Sequence, residues 1–198
     1  MTTTVASLGV AEIESLVDHL EKHLGRIDAG WSVDPDGERT PFQVVKLSRG
    51  SDLESVAYST LGLSRHVLRS PRSGRAIRQE LMMLAPPALR HDVVVSLLLQ
   101  VGLMALTNER ALLRGEVIGP AGPITEGSRL MSFYITSPVY FPDELATYAG
   151  PAGQVVVPWL VPVSDAEAVA RAGWEALENE FVLRDPDLVD LHRPPMQV

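Results

Sequence analysis

The chain has 198 residues, 45% of them hydrophobic and 21% charged, with a net charge of −8 and no cysteine. Such a chain fits one globular domain with a sizeable apolar core, and its negative balance excludes a general nucleic-acid or anionic-membrane binder. Lack of cysteine excludes disulfides and thiolate metal sites and suits a reducing cytoplasm.

Met1-Thr2-Thr3-Thr4-Val5 has no basic segment and no apolar run, so no signal peptide is expected. Ile13, Leu16, Val17, Leu20 and Leu24 recur at helical spacing and predict a helix over 10–24, stopped by Gly25. A polar turn at 32–39 leads to a strand at 42–47, and a link at 49–54 leads to a neighbouring strand at 55–61. That second strand enters a tight turn at Gly62, where a residue without Cβ is cheapest. Residues 65–75 are rich in Arg, Ser, Pro and Gly and predict an exposed loop. With Arg65, His66, Arg69, Arg72, Arg75 and Arg78, this is the basic region of an acidic chain. A third strand spans 77–84 and ends at Pro86-Pro87.

Residues 92–108 are apolar almost all round, the mark of a helix buried between layers. The run is interrupted by Ser96, Gln100 and Gly102 and falls short of the ~20 residues a membrane span requires. A short strand at 116–118, a Gly/Pro loop at 119–123 and a strand at 130–135 follow. The apolar run 154–163 reads as one strand; Pro158 cannot donate to a ladder, which predicts an edge position or a bulge. Ser164-Asp165-Ala166-Glu167 has the pattern of a capping box opening a final helix. No repeat or linker divides the chain. The expected architecture is a single α/β (α+β) domain over 1–198: a mixed β-sheet with a central buried helix and flanking N- and C-terminal helices.

Three constellations bear on chemistry. His19 and His23 have the four-residue spacing of a helical metal pair, but no motif supplies a third ligand. Ser64 and His66 invite a hydrolase reading, yet residues two apart point in divergent directions, and the chain lacks the G-x-S-x-G elbow. Gly119 to Gly122 has no following Lys-Ser/Thr and is no phosphate loop. A different possibility is an open sheet edge that accepts an extended peptide as an added strand, with Tyr58 or Trp159 as an aromatic wall. No metal or cofactor is expected.

Tyr58-Ser59-Thr60-Leu61-Gly62-Leu63-Ser64 and Gln79-Glu80-Leu81-Met82-Met83-Leu84 resemble segments of the suppressor-of-fused domain family. The resemblance continues through Asn108-Glu109, Gly115-Glu116-Val117-Ile118, the strand 155–163 with its Ser164-Asp165-x-Glu167 helix start, and Asp190-Leu191-His192-Arg193-Pro194. It implies an α/β domain that binds other proteins and is not an enzyme. In animal relatives the domain grips a short peptide of a transcription factor as an added strand. Short, single-domain bacterial relatives look like immunity proteins that neutralise toxins. The implied partner-binding residues are Tyr58, Ser64, Arg65, His66, Trp159 and Arg193, and the implied partner is a protein, such as a toxin encoded nearby. A position often acidic in the family is Arg65 here. The alternative is a hydrolase or metal-dependent enzyme using His19/His23 or Ser64/His66.

Overall fold

In a computed structural model, the described residues are 16–34, 36–48, 55–120, 122–164 and 174–196. They hold eleven strands, three α-helices and two short 3-10 turns. Helix α1 covers 16–24, α2 His91–Thr107 and α3 Trp174–Arg184. The proposed capping box at 164–167 and the first part of the expected N-terminal helix fall largely outside the described residues.

A seven-stranded mixed sheet carries the fold. Its order is β1 (Arg26–Val33), β2 (Arg39–Ser48), β3 (Val56–Leu61), β6 (Met82–Ala85), β11 (Trp159–Val163), β8 (Ser132–Thr136) and β7 (Val117–Ile118). A four-stranded sheet has the order β4 (Leu68–Arg69), β5 (Ala76–Gln79), β10 (Gly153–Val156) and β9 (Thr147–Gly150).

Two expected strands are each divided between the sheets. Residues 77–84 break after Gln79 and resume at Met82; residues 154–163 break after Val156 and resume at Trp159. The two chains run parallel and cross together, as β5 beside β10 and then β6 beside β11. Backbone bonds span the crossing, Glu80 N–H to Val156 O at 2.9 Å and Met82 N–H to Pro158 O at 3.0 Å. Pro158 therefore sits where the strand leaves one ladder for the next, and its missing N–H costs no ladder bond. Of the edge position or bulge expected for 154–163, the edge is overturned, since β10 and β11 are both interior, and the strand is instead interrupted at Pro158. The sheet edges are β1, β7, β4 and β9. The far side of β4 is covered, since Arg69 exchanges backbone bonds with Glu109 and Ala111 at 3.0 and 2.9 Å.

Central strands bury both faces, which is why they read as unbroken apolar runs. On one face Tyr58, Met83, Phe133, Ile135 and Leu160 pack against Val94, Val95, Leu98, Leu99 and Val101 of α2. On the other, Ala57, Met82, Tyr134, Trp159 and Val161 meet Leu16, Leu20 and Leu24 of α1 and Leu177 of α3. Each fully buried Val, Leu or Met adds roughly 1.5–3 kcal/mol of hydrophobic stabilisation, so α2 is fixed by packing. Its outer surface still shows Asp92, Gln100 and Thr107 to solvent.

At Gly102, α2 lies directly against Phe42 of β2. A Cβ there would lie 3.0 Å from Cε2 of the buried Phe42 ring and closer still to its Cζ. Alanine improves intrinsic helix propensity by up to about 1 kcal/mol over glycine, but here overpacking outweighs that gain. Gly102→Ala is expected to lose about 1–3 kcal/mol in chemical denaturation; a stabilised variant would show that the Phe42 contact yields freely.

Candidate functional site

The turn after β3 is organised around a buried carboxylate. Thr60 is the last residue of β3 but one, and Gly62 follows with φ 103°, a backbone that side chains with Cβ rarely adopt. This kink aims three successive N–H groups inward as the 3-10 turn Leu63–Arg65 begins. Glu80, at the crossing between the sheets and fully buried, receives them. Its Oε1 accepts from Gly62 N–H at 2.9 Å and Ser64 N–H at 3.0 Å. Its Oε2 accepts from Leu63 N–H at 3.3 Å and the Thr60 hydroxyl at 2.6 Å. Thr60 Oγ1 in turn accepts from Leu81 N–H at 2.8 Å, so one hydroxyl ties the strand to the crossing. Successive N–H groups converging on one anion form a nest, here filled by the protein's own side chain. Burial, the largest influence, pushes the Glu80 carboxyl above its ordinary value, and the bonds from Thr60, Ser64 and Gly62 oppose that rise.

From outside, Arg78 Nη1 donates to the carbonyls of Ser64 at 2.7 Å and Arg65 at 3.2 Å. Held on both sides, the turn presents Arg65 and His66 to solvent. They line a cleft of about 540 Å³ with Val67, Leu68, Arg69, Ala76, Leu106 and Glu109.

The structure separates the sequence-derived candidates into two groups. Arg65 and His66 are exposed together at the cleft. Tyr58, Ser64, Trp159 and Arg193 are interior, with exposures of 1%, 5%, 0% and 3%. Tyr58 packs beneath α2, and its hydroxyl lies 2.6 Å from Nδ1 of His91 at the start of that helix. Trp159 is covered by the exposed Tyr140, ring centroids 5.0 Å apart. Arg193 Nη2 donates to the Pro162 carbonyl at 2.9 Å and fastens the C-terminal segment to β11.

His19 and His23 stand with ring centroids 5.0 Å apart, and His19 lies 3.3 Å from the Leu145 carbonyl and beside Tyr148. Among the described residues no group of three His, Cys, Asp or Glu gathers at them or elsewhere. Ser64 faces the Glu80 carboxylate while His66 faces the cleft, so the two do not form a nucleophile–base pair.

Sequence reasoning missed the role of Glu80, and placed Arg78 in the basic region without its grip on the turn. A visible signal was a single acid placed directly before the apolar run Leu81-Met82-Met83-Leu84, because an acid is almost never fully buried unless it is paired. A second arrangement was also missed. Glu178 on α3 takes bonds from Arg114 Nε at 3.0 Å, the Tyr134 hydroxyl at 2.9 Å and the Thr136 hydroxyl at 3.0 Å. Burial alone would raise its carboxyl; the bonds from Arg114, Tyr134 and Thr136 outweigh burial and hold it below the ordinary value. This pair stands between two recesses of about 300 and 280 Å³, both lined by Arg114 and Thr136.

Two sheets exchanging a parallel strand pair, with a carboxylate-filled nest at the exchange, define an α+β domain with a presented turn. Residues 38–194 match the family described as suppressor of fused protein (SUFU). The chain belongs to that family. It is similar to a solved SUFU homolog from Neisseria gonorrhoeae, with 21% identity and a TM-score of 0.75, over 96% of this chain and 100% of that one. It is similar to a chain of the Sufu-Fu complex at 17% identity and TM-score 0.68, over 93% of this chain and 89% of that one. Drosophila Suppressor of Fused matches at 17% identity and TM-score 0.68, over 94% of this chain and 51% of that one. These likenesses show a shared fold. No curated protein matches the sequence. No described helix is long and apolar enough to cross a membrane.

Proposed function

We propose that this domain is a non-enzymatic protein binder of the bacterial immunity type, which neutralises a toxin encoded beside its gene. The observation that carries the reading is the turn at 62–66. A fully buried glutamate and an arginine hold it from two sides, and what the fold then displays is a pair of exposed side chains beside a cleft. Such stiffening suits recognition, since a preformed surface loses less conformational freedom on binding. Further support is that a chain of the same fold occurs in a structure of the Sufu-Fu complex.

In this reading Arg65 and His66 touch the partner. Tyr58, Ser64, Trp159 and Arg193 act from below, by fixing the strands and segments that carry the surface. Neutralisation takes place in the cytoplasm, before the toxin reaches a target.

The test is co-expression with the product of the adjacent gene, followed by gel filtration and titration calorimetry. The expected result is a 1:1 complex and relief of that protein's toxicity. Separate elution of the two chains, with toxicity undiminished, contradicts the reading.

A further inference from the structure

From Arg65 to Gln79 the chain contains five arginines and one histidine and no acid, although the whole chain carries −8. Arg65, His66, Arg69, Arg72 and Arg75 are exposed. None of the five guanidinium groups in this segment forms an ion pair with a described carboxylate. Glu109 is the single acid among the residues lining the cleft.

The cations stand on a built frame. Arg78 braces the Ser64 and Arg65 carbonyls. At the tip between β4 and β5, the buried Ser70 hydroxyl accepts from Arg72 N–H at 3.3 Å and Ser73 N–H at 3.2 Å. Gly74 N–H closes the turn onto the Ser70 carbonyl at 2.8 Å. The floor between the cations includes Val67, Leu68, Ala76 and Leu106.

We propose that this face binds an acidic segment of a protein partner, with carboxylates on Arg65, Arg69 and Arg75 and an apolar side chain over Val67 and Leu106. The proposal rests on the protein-binding reading above and supplies the chemistry of the partner. Charge complementarity selects the occupant: unpaired cations in a mixed polar and apolar cleft match spaced carboxylates on an apolar backbone. A short acidic segment can stay within this basic face, whereas a nucleic acid would run past it as a long polyanion over a surface that is negative on balance. Interfaces of this kind gain association rate and selectivity from complementary charge.

The experiment is fluorescence anisotropy with a short labelled peptide alternating Glu and Leu, at low salt and at physiological ionic strength, where screening acts beyond about 8 Å. Wild type is expected to bind, with affinity falling at the higher salt. The Arg65→Glu/Arg69→Glu double variant, melting like wild type, is expected to bind at least about tenfold more weakly, as reversed rim charges do. If that variant fails to fold, Arg75→Glu at the exposed tip is expected to weaken binding in the same direction. No binding of the peptide, or unchanged binding by the variants, overturns the proposal. Tighter binding of a single-stranded oligonucleotide than of the peptide overturns it in favour of general polyanion binding. The adjacent-gene product separates the two readings. A complex that forms but ignores charge reversal sinks the acidic-segment proposal and leaves the protein-binding reading standing. Peptide binding without any such complex does the reverse.

Discussion

Glu80→Ala is expected to remove about 3–5 kcal/mol of stability, because it strips the acceptor from several buried donors at once. For a chain of this size that lowers the melting temperature by roughly 6–20 °C. Gly62, Leu63 and Ser64 lose the partner of their N–H groups, and the Thr60 hydroxyl loses its acceptor. Water cannot replace these bonds without opening the junction of the two sheets. Glu80→Gln keeps one oxygen and sets an amide NH2 against donors on the other side, so it is expected to cost about 1–3 kcal/mol. The readout that separates local from general damage is amide hydrogen exchange. In the Gln variant, protection should fall at Gly62, Leu63 and Ser64 before it falls in α2. Wild-type melting of Glu80→Ala would contradict this account of the turn.

The two carboxyls, Glu80 fully buried and Glu178 only partly so, act in opposite pH windows. Burial raises Glu80 above 4.5, so its ionisation opposes folding: the contribution is complete below 4.5 and declines as pH rises toward the raised folded value. The partners of Glu178 depress it, so its contribution is complete above 4.5 and disappears as pH falls through the lowered value.

The second large effect is Tyr58→Ala. The ring is 1% exposed and packs among Val44, Leu63, Met83 and Leu98. Removing it leaves a cavity and is expected to cost about 3–5 kcal/mol. A loss of partner binding in that variant therefore reports the fold. Tyr58→Phe keeps the ring and deletes only the contact with His91, whose ring is exposed at the helix start, so about 0.5–1.5 kcal/mol is expected. Alkaline spectrophotometric titration checks the burial independently. Desolvation pushes the Tyr58 hydroxyl from 10.0 up to about 12. Its raised value means that stability is whole below 10 and is lost as pH climbs toward 12. Denatured protein should show its tyrosines titrating together near the lower value. A Tyr58→Ala protein as stable as wild type would place the ring at the surface.

What the residues disclosed, and what they withheld, follows from the range of the forces involved. Gly62 and the strand-forming run that leads into it are local, and the structure has β3 and the glycine turn there. The apolar run 92–108 reads as a helix because its length and composition leave little else, and α2 spans His91–Thr107. The division of 77–84 and 154–163 between two sheets was not legible. A strand buried on both faces is apolar before and after it changes sheets, so no periodicity marks the crossing. Pro158 did signal a broken ladder, but solvent and a sheet junction both excuse a missing N–H. Of the two readings, edge or bulge, the edge fails and the interruption at Pro158 stands. Glu80 and the N–H groups it binds are 16 to 18 residues apart, and only the folded sheet brings them together. Trp159 and Arg193 drew notice as large or charged groups in matched segments, yet both lie inside.

The central claim is that a partner protein docks on the turn and basic face at 62–78. Backbone-amide NMR of the isotope-labelled domain, titrated with the adjacent-gene product, tests it most directly. The account predicts that the largest shift changes gather at Arg65 to Arg78 and around the cleft at Leu106 and Glu109, with α3 nearly unmoved. Changes centred on α3 and Tyr140 instead, or a spectrum unaltered at saturating partner, would contradict it.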